Sequence, residues 1–229
     1  MGFLKKFFRN VFHEDAMPPL NSSFETLTED ELEAHLGVRR YGRFSLTDAV
    51  RPSYDLQIVP TAGFRHDTYR DEAAQHDVPV LMAAVSREDL FETFMEVIEQ
   101  LGPVVDVVLE TSHDYGDTGH RDLYREHIDM PILQSILWEF EDLLTNDGCT
   151  GIAVLNSKRP QEVQFDEHKL LIVYGQDLSD YEQALKRCDL QCREEMQFIT
   201  EAEHVHSTRD EYMERFEELK MQLGMDSEG

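Results

Sequence analysis

The densest set of side chains able to do chemistry is His113, Asp114, Asp117, His120, Asp122, Glu126, His127 and Asp129. Imidazole and carboxylate ligate Zn, Fe or Mn, and the same groups act as general acids and bases. His113, Asp117, His120 and His127 are therefore the candidate ligands for a divalent metal. Their spacing matches no zinc-hydrolase pattern, and the chain has no His-Glu-x-x-His. Read as a calcium loop from Asp114, the segment has Gly119 at the required sixth position. It has Gly116 and Arg125 where the third and twelfth positions need oxygen ligands. With 47 acidic residues and 10 histidines in the chain, such clusters also arise in ordinary solvated loops.

A smaller group, Glu201, Glu203, His204 and His206, reads as a solvated interhelical loop. Asp106, set among Val105, Val107 and Val108, is expected to face solvent or a sheet edge, because buried unpaired acids are rare. No phosphate-cradling glycine loop and no G-x-S-x-G nucleophile elbow is present. Cys149, Cys188 and Cys192 are too few, and odd in number, for a disulfide framework.

The amino-terminal segment carries a different signal. At 100° per residue, Phe3, Leu4, Phe7, Phe8, Val11 and Phe12 share one half of a helix, and Lys5, Lys6 and Arg9 the other. This arm, residues 1–17, is expected to dock on its own body, on a partner, or weakly on an anionic membrane surface. Pro18 and Pro19 separate it from the rest of the chain.

Periodicity and capping signals give the secondary structure around these groups. Thr28 and Glu31 form a capping box for a short helix ending at Gly37. Residues 18–77 otherwise read as an irregular region packed on the core, with a polar loop over 66–77. The core, residues 78–224, opens on the nearly continuous apolar run Val78–Val85, expected of a central strand. Ser86 and Asp89 suggest a cap for the amphipathic helix carrying Leu90, Phe94 and Ile98, stopped by Gly102 and Pro103. Val104–Thr111 is a second strand, so a βαβ unit with parallel strands is expected. A polar loop over 112–129 leads to a helix that starts at Asp129 and Pro131 and runs to Leu144. Residues 151–157, 163–165 and 170–174 suggest an antiparallel meander. The remainder is helical, and 225–229 form a disordered tail.

The expected fold is α+β, or α/β with a mixed sheet: about five strands from a β-α-β-α-β-β-β core, with the amphipathic arm and a helical carboxy-terminus. No resemblance to a known family emerges from these residues. The formal net charge of −26 disfavours nucleic-acid binding, since the surface repels phosphate backbones. No apolar run is long enough to span a bilayer and no signal peptide is visible, so a cytoplasmic location is expected. The expected function is a non-catalytic interaction or regulatory protein without a cofactor, using its arm for a protein partner or a homodimer. The alternative is an enzyme, or a small-ligand or divalent-metal binder, using the 112–129 loop.

Overall fold

The computed structural model describes residues 22–71, 76–113 and 121–225. In chain order the helices are α1 (Glu29–Leu36), α2 (Arg87–Ile98), α3 (Met130–Glu139), α4 (Glu141–Asn146), α5 (Ser179–Arg187) and α6 (Asp210–Gln222). The strands are β1 (Arg40–Tyr41), β2 (Phe44–Ser45), β3 (Val50–Pro52), β4 (Gly63–Asp71), β5 (His76–Ala84), β6 (Val104–Thr111), β7 (Arg121–Asp129), β8 (Thr150–Asn156), β9 (Glu162–Phe165), β10 (Leu170–Tyr174) and β11 (His204–His206).

Seven strands form one sheet in the order β4-β5-β10-β9-β8-β6-β7, and every neighbouring pair is antiparallel. The architecture is α+β. The mixed sheet of about five strands is corrected on two counts. The sheet has seven strands, and β5 and β6 are not neighbours. They point the same way, but β10, β9 and β8 lie between them. The meander of β8, β9 and β10 is present.

The two strands that apolar periodicity does not reveal, β4 and β7, are the two edges of the sheet. An edge strand pairs on one side only and turns polar side chains to water, so His66, Asp67, Thr68 and Arg70 give no apolar signal. β7 likewise exposes Tyr124, Arg125, Glu126 and His127. Within the 112–129 segment, Arg121–Asp129 is therefore a strand paired with β6, not a loop.

Alternation in the strands buries both faces. Leu81, Ala83, Val107, Leu109, Val163, Leu171 and Val173 point to the helical side. There Phe94 and Ile98 of α2, Leu133 and Leu137 of α3, Leu144 of α4, Leu185 of α5 and Phe216 of α6 cover them. Val80, Met82, Leu170 and Ile172 point the other way, onto Phe44, Val50, Met196 and Phe198.

The Thr28–Glu31 capping box is formed in both directions. The Ser86–Asp89 cap is not: Ser86 Oγ instead donates to Glu88 and accepts the amide of Ser45. The helix read as one unit from Asp129 to Leu144 breaks at Phe140, whose ψ of 17° lies outside the helical range. Among the described residues, no helix is long and apolar enough to cross a membrane.

Candidate metal centre

One end of the sheet gathers the chemistry. It comprises the end of β6, the start of β8 and the tight turn between β9 and β10. In that turn Asp166 closes the hairpin, its Oδ1 accepting the amide of Leu170 at 2.7 Å. Lys169 takes a positive φ of 64° to complete the reversal. His168 projects from the turn.

The second contributor is β11, which pairs antiparallel with β3 in a separate two-stranded ribbon. Residues two apart on a strand share a face, so His204 and His206 project together. Three ring contacts tie them to His168: centroids lie 4.9 Å apart for His168–His204, 4.6 Å for His168–His206 and 5.2 Å for His204–His206.

One ring nitrogen of each histidine lies within 4.8 Å of those of the other two. In every ring, Nδ1 faces an acceptor at 2.8 Å. The acceptors are Asp166 Oδ2 for His168, the Ala202 carbonyl for His204 and the Gly148 carbonyl for His206. These oxygens only accept, so they assign the proton to Nδ1. The lone pair of a neutral ring is then on Nε2, the usual arrangement around metal-ligating imidazoles.

The protonation states of His204 and His206 suit the same role, whereas a metal would have to displace a proton from His168. Burial lowers His204, and the neighbouring His168 adds to it. His206, although exposed, is lowered as well, by desolvation and by the neighbouring His168. Burial alone would depress His168 too, but the Asp166 carboxylate outweighs it and raises that group.

The surroundings are buried and polar on one side, apolar on the other. Lys169 Nζ donates to the Thr150 carbonyl at 2.8 Å, and burial lowers this lysine to about 8 against the pull of Asp147 and Asp166. An apolar cavity of about 30 Å³, lined by Phe44, Leu46, Leu90 and Phe198, reaches His168 and Lys169.

Of the residues proposed from sequence, His113 and His127 do not come together. His113 sits at this end, its Nε2 2.8 Å from Asp147 Oδ2, a carboxylate with no exposure at all. Burial acts to raise Asp147, but hydrogen bonds from His113 and Thr150 hold it below its ordinary value. His127 sits at the opposite end of the β6–β7 hairpin. At the roughly 3.3 Å rise per residue of a strand, this is about 20 Å away. His127 occupies a bulge with φ 55°, where two residues oppose Asp106, and its amide donates to Asp106 Oδ1 at 2.8 Å. Its side chain is 68% exposed. Asp117 and His120 lie outside the described residues, as do Phe3, Leu4, Phe7, Phe8, Val11 and Phe12 of the arm and the tail beyond Met225.

The reading of this group as an interhelical loop is corrected for His204 and His206, which are strand residues packed on His168, while Glu201 and His206 are exposed as expected. The local signal was there in the His-x-His spacing. His168 is 36 positions away in sequence, and only the fold brings it in.

Among the described residues, two other groups have metal-ligating side chains in proximity, His113–Asp147–Cys149 and His66–Cys192–Glu194. In the first, Asp147 already serves His113 and Thr150, and burial raises the Cys149 thiol. In the second, Cys192 is raised to about 11, by desolvation and then by Glu194, so it is a thiol at neutral pH. Thiolate, not thiol, is the ligand.

Comparison of the chain with protein families, with characterised proteins and with solved structures finds no match.

Proposed function

We propose that this protein binds a divalent transition-metal ion through His168, His204 and His206. One observation carries the reading: three imidazoles converge while each has its Nδ1 proton committed to a fixed acceptor. That is a coordinating shell with its orienting partners already in place. Three nitrogen ligands suit Zn²⁺ with a fourth position open to water or substrate, the pattern of catalytic rather than structural zinc sites. Nitrogens about 2.0 Å from a tetrahedral ion stand about 3.3 Å apart, so separations of up to 4.8 Å must shorten by as much as about 1.5 Å. A bound ion of this kind supplies a water acidic enough to be hydroxide near neutrality, which supports a hydrolytic or hydration reaction. The imidazole centre takes precedence over the 112–129 set because His113 and His127 stand at opposite ends of a hairpin.

Metal analysis and calorimetric Zn²⁺ titration of untagged protein test the reading. One ion per chain is expected, lost in His204→Ala and His206→Ala and retained in His127→Ala. Unchanged stoichiometry in the β11 variants would place the ion elsewhere and overturn the proposal.

A further inference from the structure

On the other side of the Asn146–Gly148 turn from His206 lies a polar pocket of about 160 Å³, bordered by Arg39, Asp48, Arg51, Asn146, Ser207 and Arg209. Four arginines converge on one carboxylate there. Asp48 takes Arg39 Nε at 2.8 Å and Arg209 at 2.9 Å, with Arg51 at 3.6 Å and Arg87 at 3.9 Å. Of the other acids around it, Glu211 lies 3.3 Å from the second arm of Arg209, Asp142 accepts from Asn146 at 2.8 Å, and Asp147 is bonded to Thr208. Among the described residues the four guanidiniums form ion pairs with Asp48 and Glu211 alone, while Asp142 and Asp147 are taken by Asn146, His113 and Thr150, so arginine is locally in surplus on a chain whose formal charge is −26.

The four do different things. Arg51 is buried, and its donors go to the carbonyls of Leu36, Thr47 and Val50, so it is a fixed positive floor. Arg39 and Arg209 are half-exposed, at 50% and 54%, and Asp48 takes only part of the five N–H donors each carries. Arg209 is also the N-cap of α6, so the positive end of that helix lies at the pocket.

We propose that this pocket binds a phosphate dianion, either inorganic phosphate or the terminal group of a phosphate monoester. Donors arriving from separate elements suit a tetrahedral oxyanion with acceptors in several directions, and two negative charges match the surplus of arginine. Asp48 serves as the internal counter-ion that holds the arginines in position. The site is independent of the imidazole centre and needs no metal.

The test is calorimetric titration with inorganic phosphate and, separately, glycerol 3-phosphate. Ionic strength is held constant with chloride, and a chelator is present so that no metal takes the anion. Saturable binding is expected for the intact protein, with Tm rising by about 5 °C at roughly hundredfold excess over Kd. The Arg39→Gln/Arg209→Gln double variant should bind at least tenfold more weakly. Should that variant fail to unfold cooperatively, Arg39→Lys keeps the charge but loses the fork, and at least fivefold weaker binding is expected. Tighter binding of the monoester identifies an ester terminus as the ligand, and equal affinity identifies phosphate itself. Absence of saturable binding for both probes, or unchanged affinity in the folded variants, would overturn the proposal.

Discussion

Oδ2 of Asp166 accepts the Nδ1 proton of His168 at 2.8 Å, while its other oxygen closes the hairpin on which His168 stands. The two roles can be separated. In Asp166→Asn an amide oxygen can still accept the Leu170 amide, but an NH₂ cannot accept from the imidazole. Zn²⁺ affinity is predicted to fall about 10–100-fold, the usual cost of losing an orienting partner. Stability should fall far less, which denaturant unfolding of the metal-free protein would show. Equal Zn²⁺ affinity in a folded Asp166→Asn protein would count against an orienting role.

Gly148 fixes the other side of the centre. Its carbonyl holds His206, and its amide donates to the Ser207 carbonyl at 2.8 Å. A Cβ at this position would stand 2.4 Å from the Ala49 carbonyl oxygen and 2.8 Å from that of Ser207, both backbone atoms unable to swing aside. Gly148→Ala is predicted to lower Tm and weaken Zn²⁺ binding together. Thermal unfolding with and without the ion checks this, and a variant that keeps both would show that the two backbones need not lie so close.

Glu162 makes stability depend on pH. Burial raises this carboxyl from 4.5 to about 8, and Gln164 Nε2 donates to it at 2.6 Å. The folded value lies above the unfolded one, so the protonated acid's contribution is complete below about pH 4.5 and lost as pH rises through 8. At about 1.4 kcal/mol per unit, the swing is at most on the order of 5 kcal/mol. Glu162→Gln is predicted to be the more stable protein at pH 8.5 and to show a flatter profile from pH 5 to 8. Glu110, also raised by burial, keeps some slope in the variant. Parallel urea titrations across this range read the effect, and identical profiles would mean that Glu162 ionises without cost.

Phe165 packs at 5.0 Å between ring centroids on Phe94 of α2 and lies under Lys169 Nζ, 5.5 Å away. It is the last residue of β9, so it anchors the turn carrying His168 to the helical layer. Phe165→Ala is predicted to cost about 3–5 kcal/mol through lost burial and the cavity left behind. Equilibrium denaturation measures it, and a cost under about 1 kcal/mol would mean the turn is held from elsewhere.

Much of the core was legible along the chain because its signals are local. The apolar run at 78–85, the stripe Leu90–Phe94–Ile98 and the Thr28–Glu31 cap each act within one or two turns of chain. The edges were not legible. β4 and β7 carry the polarity of loops, and they become strands only because β5 and β6 offer them a row of backbone hydrogen bonds. The βαβ reading erred for a related reason. A strand's direction follows from its connection, but its neighbours are settled by which partners complete the sheet, and three strands entered between β5 and β6.

The same division holds for the metal centre. Composition and pattern along the chain were enough for a fold mixing helices and a sheet on an acidic chain, with α+β and α/β both open. They were also enough for His204 and His206, two apart, to share a face wherever they formed a strand. Folding in three dimensions was needed to lay this strand against a hairpin turn 36 residues earlier in the sequence, where Asp166 presents His168. Folding also set His113 and His127, close in sequence, at opposite ends of one hairpin. Coordination depends on distances of a few ångströms between side chains. Those distances are set by strand pairing and backbone approach, which spacing along the chain does not encode.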